Sequence, residues 1–319
     1  MASTATVKEL ELSALPPASP PAHSRPPALL ARILGPFRRG RPPQPQPTTG
    51  FYTDTTLCIG CKACEVACKQ WNQLSADGLS WSGNSYDNTQ TLSATTWRHV
   101  KFIEQFPEDG HNGRIPLGIA SGPDRPPDGA PAGRWLMMSD VCKHCVAAPC
   151  EQSCPTGAIL YNEFANVYIQ PDICNGCGYC VAACPFGVIT RSEIDGHAHK
   201  CTLCYDRQRD GLVPACAKAC PTASIQFGPL DDLRERARNR VEELHRRGVQ
   251  GAYLYGDRAT ETYSALNAFY LLVDRPATYG LPEAPFNPWL HMSGDYVRSF
   301  LSGLVALAVL LVVLLLGRL

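Results

Sequence analysis

The most regular periodicity in the chain lies at Asp231–Arg247. Leu233, Ala237, Val241 and Leu244 mark one side and charges fill the rest, which predicts an amphipathic helix packed on the domain surface. Asp231 or Asp232 is placed to cap it. Elsewhere the apolar runs are short. Ala158–Tyr161 and Asn166–Ile169 flank a turn at Glu163–Ala165, and Val188–Arg191 and His197–Lys200 flank Asp195-Gly196. Both patterns predict hairpins. Ser224–Phe227 and Arg134–Ser139 read as further strands, and Trp97–Phe106 as a strand or a short helix. Gly248–Pro288 reads as loop-rich. Its aromatics Tyr253, Tyr255, Tyr263, Phe269 and Tyr270 face either a partner or the core. Last comes Phe300–Gly317, 18 residues without a charge, bounded by Arg298 and Arg318. That is long enough to cross a bilayer, and Trp289, Tyr296 and Phe300 stand at its entry, where an interfacial belt belongs. One arginine on each side gives no orientation.

Composition separates two further segments. Residues 1–49 are rich in Pro, Ala and Arg, cannot bury a core, and are expected to be disordered. Within them Ala28–Phe37 has some helical character. Arg38-Arg39 has no apolar stretch behind it, so it is not read as an export signal. Glu108–Gly133 is dense in Gly and Pro and reads as loop.

Charge excludes one class. Lys+Arg and Asp+Glu balance at 29 each, so there is no basic footprint for nucleic acid. No P-loop is present. Gly176-Cys177-Gly178 lacks the third glycine of a dinucleotide fingerprint. No hydrolytic constellation stands out either.

The cysteines carry the chemistry. All 16 fall into four groups of four: Cys58, Cys61, Cys64, Cys68; Cys142, Cys145, Cys150, Cys154; Cys174, Cys177, Cys180, Cys184; and Cys201, Cys204, Cys216, Cys220. Three groups end in Cys-Pro, at Pro155, Pro185 and Pro221. This is the bacterial ferredoxin run for cubane iron–sulfur clusters, repeated with longer gaps before Cys150 and Cys216, and it predicts four [4Fe-4S] clusters. Disulfides are disfavoured, because tightly spaced triplets converge on one centre. Zinc is the alternative, since separated C-x2-C pairs also build four-cysteine zinc sites. His144 lies inside a group already complete in thiols and reads as a neighbour rather than a ligand. His291 near the apolar segment reads as a surface residue. Lys62, Lys69, Lys143, Lys200 and Lys218 lie near the cysteines and either offset cluster charge or are ordinary solvated lysines.

In such modules three cysteines of one run share a cluster with the fourth of its partner run. The adjacent middle groups pair, so Cys142, Cys145, Cys150 and Cys184 form one site, and Cys174, Cys177, Cys180 and Cys154 another. The outer groups then pair around them: Cys58, Cys61, Cys64 with Cys220, and Cys201, Cys204, Cys216 with Cys68. The expected fold is α+β, two bacterial ferredoxin-like modules of two clusters each, with a C-terminal transmembrane helix. The outer module takes residues 50–100 and 196–228, the inner module 135–195, and an insertion 101–134. A C-terminal extension follows at 229–297 and an anchor at 298–319. With every group fully ligated, the chain reads as an electron wire rather than a catalyst.

A family resemblance rests on further residues. Cys58-Ile59-Gly60-Cys61-Lys62-Ala63-Cys64 with Trp71-Asn72, Tyr86-Asp87-Asn88 and Leu92-Ser93-Ala94 before Trp97 resemble the iron–sulfur beta subunit of membrane-bound formate dehydrogenase. So do Cys174-Asn175-Gly176-Cys177-Gly178-Tyr179-Cys180, Cys184-Pro185-Phe186 and Lys200-Cys201-Thr202-Leu203-Cys204. The likeness covers roughly 50–295, within the four-cluster subunits of molybdopterin oxidoreductases. It implies a separate molybdenum or tungsten subunit that oxidises formate, and a membrane cytochrome b or quinone-reactive subunit as acceptor. It also implies a cell-membrane location, with the side of the soluble part left open. The same wire in a hydrogenase or a polysulfide or dimethyl sulfoxide reductase is one alternative. A zinc scaffold and a cluster-based sensor are the others.

Overall fold

The computed structural model describes residues 46–77, 83, 86–105, 134–290 and 292–316. Ala28–Phe37, Arg38-Arg39, Glu108–Gly133 and His291 lie outside the described residues. Residues 46–49 fall within the segment expected to be disordered, yet they are ordered: the Gln46 and Thr49 N–H groups donate to Glu163 and Phe164 carbonyls, at 3.2 and 3.3 Å.

The described elements run β1 (Thr49–Asp54), α1 (Ala63–Asn72), β2 (Arg98–Gln105), β3 (Arg134–Val141), α2 (Pro149–Gln152), β4 (Ile159–Tyr161), β5 (Val167–Ile169), α3 (Tyr179–Ala183), β6 (Thr190–Arg191) and β7 (Ala198–His199). Then come α4 (Tyr205–Arg209), α5 (Ala215–Lys218), β8 (Ile225–Pro229), α6 (Leu230–Arg246), β9 (Tyr253–Tyr255), β10 (Ala268–Leu272) and α7 (Met292–Leu316).

Both expected hairpins form, as β4–β5 and β6–β7. β2 and β3 pair antiparallel from Arg98↔Val141 to Gln105↔Arg134. The expected insertion at 101–134 therefore begins only after residue 105. Its first residues, Lys101 to Gln105, continue the strand opposite Met138 to Arg134.

Gly248–Pro288 departs most from its loop-rich reading. It holds β9 and β10, and β10 sits inside a four-stranded sheet of order β8-β1-β10-β9. β1 runs parallel to β10 (Phe51↔Ala268 to Asp54↔Leu271) and antiparallel to β8. The aromatics of this region cover the core. Tyr263, Phe269 and Tyr270 are buried, as is Tyr255, while Tyr253 packs against the core's edge.

α6 lies on one face of this sheet. Leu233, Ala237 and Leu244 meet Tyr52, Phe269 and Leu271 there. Its N-cap differs from the expectation. Leu230 opens the helix after Pro229, which makes no side-chain cap. Asp231 and Asp232 fall inside the first turn, where acidic side chains still suit the helix dipole.

The C-terminal helix α7 spans Met292–Leu316. Among the described residues it is the one helix long and apolar enough to cross a membrane, through Tyr296–Leu314. Its large apolar side chains, such as Phe300, Val305 and Val313, are exposed.

Candidate metal centres

Local backbone geometry explains how the triplets work. In all four C-x2-C loops the residue before the second cysteine has positive φ: Gly60 at 67°, His144 at 43°, Gly176 at 70° and Leu203 at 56°. A left-handed residue there curls the loop so that backbone N–H groups turn inward, as in an anion-binding nest. Two of those N–H groups reach the first sulfur: His144 to Cys142 Sγ at 3.5 Å and Leu203 to Cys201 Sγ at 3.2 Å. At Gly176 a side chain would also meet backbone, since an added Cβ would lie 2.3 Å from the Gly196 carbonyl oxygen.

The Cys-Pro ends share a second device. The N–H groups of Gly157, Gly187 and Ala223 donate to the carbonyls of Cys154, Cys184 and Cys220, at 3.4, 3.2 and 3.3 Å. Proline suits the second position of such a turn, and the residue three past each cysteine again has positive φ. The turn releases the chain into a strand just after each cysteine.

Folding brings the cysteines together in four sets. Site I is lined by Cys58, Cys61, Cys64 and Cys220. Site III is lined by Cys142, Cys145, Cys150 and Cys184. Site IV is lined by Cys154, Cys174, Cys177 and Cys180. The remaining four form site II, where Cys201, Cys216 and Cys204 all act on the Cys68 thiol. The swap between neighbouring sites is visible in the helices. α2 carries Cys150 toward site III and is followed by Cys154 in site IV; α3 carries Cys180 toward site IV and is followed by Cys184 in site III.

The sets form a row. Cys64 of site I feels Cys216 of site II, and Cys201 of site II feels Cys142 of site III. Sites III and IV share the paired helices α2 and α3. Exposure rises at both ends. Cys61 in site I and Cys177 in site IV are the two cysteines that are exposed, whereas Cys68, Cys201, Cys204 and Cys216 are all buried.

Four thiols around each space are the donor set of a cubane cluster. Among the described residues no group of three or more His, Cys, Asp or Glu closes tightly enough for a single ion. Burial, helped by neighbouring sulfurs, pushes the Cys180 and Cys204 thiols up to about 11 and Cys145 and Cys201 to about 12. A metal must displace those protons to bind. Cys154 behaves differently: the little burial it has is outweighed by hydrogen bonds from Thr156 and nearby backbone, which hold its thiol below the usual range.

The surrounding residues sort into two kinds. Lys62 pairs with Asp87 at 3.0 Å and Lys69 with Asp77 at 2.8 Å, so these are ordinary ion pairs near the surface. Lys143 and Lys200 are buried. Lys143 pairs with Asp140, and Lys200 donates to the Val167 and Cys201 carbonyls at 2.6 and 3.0 Å. Lys200 also acts on Cys150 of site III. His144 is fully buried and held neutral, first by burial and then by Lys200 and Arg98.

Several contributors escaped the sequence reading. Tyr263 donates to Cys145 Sγ at 3.2 Å. The β10 segment clamps the Cys142 loop through Ala268 N–H to the Lys143 carbonyl at 2.9 Å. Arg98 is buried beside sites I and II, and its Nη1 donates to Ser139 Oγ at 3.1 Å. The Trp71-Asn72 pair also has a role. Asn72 donates toward Cys68 Sγ at 3.6 Å, and the Trp71 indole donates to Asp206 at 2.8 Å, tying α1 to α4.

Comparison with known proteins agrees with this picture. Two matches to 4Fe-4S dicluster domains cover residues 57–158 and 133–230, so both include the Cys142–Cys154 group. The formate dehydrogenase, nitrate-inducible, iron-sulfur subunit of Escherichia coli is 37% identical over 236 residues, 73% of this chain and 71% of the relative. The formate dehydrogenase iron-sulfur subunit of Haemophilus influenzae is 36% identical, covering 73% and 68%. A component of the anaerobic dimethyl sulfoxide reductase of Escherichia coli is 32% identical over 187 residues, 59% of this chain and 76% of the relative.

Proposed function

Because the chain belongs to the iron–sulfur subunits of the formate dehydrogenase type, we propose that it is the electron-transfer subunit of a membrane-bound formate dehydrogenase. Its cofactors are four [4Fe-4S] clusters, which when bound supply one-electron carriers. Cys58, Cys61, Cys64 and Cys220 hold the cluster of site I. Cys68, Cys201, Cys204 and Cys216 hold that of site II, Cys142, Cys145, Cys150 and Cys184 that of site III, and Cys154, Cys174, Cys177 and Cys180 that of site IV. Sites I and II make the outer module, sites III and IV the inner one.

The observation that carries this reading is the row of four cysteine sets, buried in the middle and exposed at Cys61 and Cys177. Such a row takes electrons at one end and delivers them at the other. The cysteines fix the spacing. Inward N–H groups at His144 and Leu203, and the Tyr263 hydroxyl, stabilise negative charge on sulfur. A molybdopterin catalytic subunit meets one exposed end and a membrane cytochrome b or quinone-reactive subunit the other. α7 anchors the chain in the bilayer.

Two measurements test this. Anaerobically purified complex is expected to hold about sixteen irons per chain of this type, from four cubanes of four, beyond those its partners carry, and to give paramagnetic signals on reduction. Colourless protein containing zinc would overturn it. The chain purified alone is expected to show no formate oxidation with an artificial acceptor. A second catalytic partner, of the dimethyl sulfoxide reductase kind, is favoured by the relative from that enzyme. Identifying what co-elutes from solubilised membranes decides between the two.

A further inference from the structure

Arg98 opens β2 in the interior between sites I and II. Its side chain is 1% exposed. Three contacts hold it. The strand pair sets its backbone opposite Val141, Nη1 donates to Ser139 Oγ at 3.1 Å, and the guanidinium lies 4.7 Å from the Phe51 ring centroid. Ser139 Oγ in turn lies 3.2 Å from Cys64 Sγ, a ligand position of site I.

The other two guanidinium nitrogens, Nε and Nη2, have no hydrogen-bond partner among the described residues. A buried cation with unpaired donors is costly unless an anion meets it. Geometry points to where that anion lies: α1, which carries Cys64 of site I and Cys68 of site II, packs against β2, the strand that Arg98 opens. A guanidinium stays protonated in a protein. At site IV, by contrast, Arg191 is exposed and its Nη1 donates to the Gly176 carbonyl at 3.3 Å.

We propose that Arg98 is a shared cationic donor to the anionic groups bound at sites I and II, and that its guanidinium sets their reduction potentials as a pair. This rests on the four-cluster assignment above. A fixed positive charge stabilises the more negative, reduced state, and hydrogen bonds to sulfur act in the same direction. Arg98 is thus a positioning and tuning residue that raises two potentials of the four.

The test is a redox titration followed by paramagnetic resonance on the whole complex carrying Arg98→Gln, beside Arg98→Lys. In the Gln variant two of the four titration waves are expected to move to lower potential, with the other two unmoved. A tenfold change in the oxidised-to-reduced ratio at fixed ambient potential is about 59 mV for one electron. The Lys variant keeps the charge and loses the fork, so its two waves are expected to move less. Four clusters with unmoved waves, or four waves moving together, would overturn the inference. If the Gln variant loses two clusters that the Lys variant keeps, the charge is what those sites require, and the inference stands. If both variants lose the same two, Arg98 is a packing element and the inference fails. Wild-type complex without iron–sulfur signals would instead sink the four-cluster assignment itself.

Discussion

The four-stranded sheet has two faces that follow different rules. On one, Tyr52, Phe269 and Leu271 pack against Leu233, Ala237 and Leu244 of α6. That face is complete as a hydrophobic contact. On the other, Phe51 and Tyr270 look onto a cysteine-lined interior holding Arg98, Asp140 and Lys143. There polar groups are buried at high density and several lack partners. The same strands therefore divide a half that closes on itself from a half completed by what its thiols bind.

Removing the iron attacks this contrast most directly. Metal binding to such sites is folding free energy, on the order of 10 kcal/mol by analogy with structural zinc. Hydrogen exchange after anaerobic chelation is expected to show β4 through β7 losing all protection, while α6 and β10 keep a measurable share. Equal loss in both halves would erase the distinction.

Asp140→Asn probes the cysteine face without touching a thiol. Asp140 is buried with Lys143 and accepts a hydrogen bond from Tyr270 at 3.2 Å. Removing its charge leaves a buried ammonium unpaired, expected to cost about 3–5 kcal/mol in denaturant unfolding. Burial works against the Asp140 carboxylate, but Lys143 and Lys101 overcome it and hold the carboxyl far below its usual range. The stability it contributes is therefore fully present above about pH 4 and is lost as the pH falls toward its depressed folded value. The Asn variant is expected to lack that acid-side slope.

Leu233→Ala does the reverse. Leu233 is 0% exposed on the apolar face, and the truncation is expected to cost about 2–5 kcal/mol while iron content stays unchanged. Iron loss there would mean the two halves are one cooperative unit. The smallest expected effect is a gain. Ala223 holds φ of 53° in the turn after Cys220-Pro221, where Gly157 and Gly187 stand in the matching turns. Ala223→Gly is expected to add roughly 1 kcal/mol, read as a higher midpoint in thermal unfolding.

The contrast also explains what is legible in the sequence. The cysteine groups, the hairpins between them and the amphipathic α6 can be read, because spacing and periodicity are local signals. β10 is harder, because its residues read at first as scattered aromatics. Ala268-Phe269-Tyr270-Leu271-Leu272 is nonetheless a continuous apolar run ended by Asp274, the mark of a strand buried on both faces. Arg98 has no local signal at all. Its partners Phe51 and Ser139 are distant in sequence, and only folding brings a cation against those sulfurs.

The interleaving of cysteines along the chain has a consequence for biogenesis. In the proposed assignment Cys58 waits for Cys220, about half the chain downstream, whereas the Cys142–Cys184 stretch contains every cysteine of sites III and IV. Synthesis runs from the N-terminus, so the inner pair is chemically complete while the first three thiols to leave the ribosome are still without their fourth. The first three thiols to be made are thus the last to gain a full set of four.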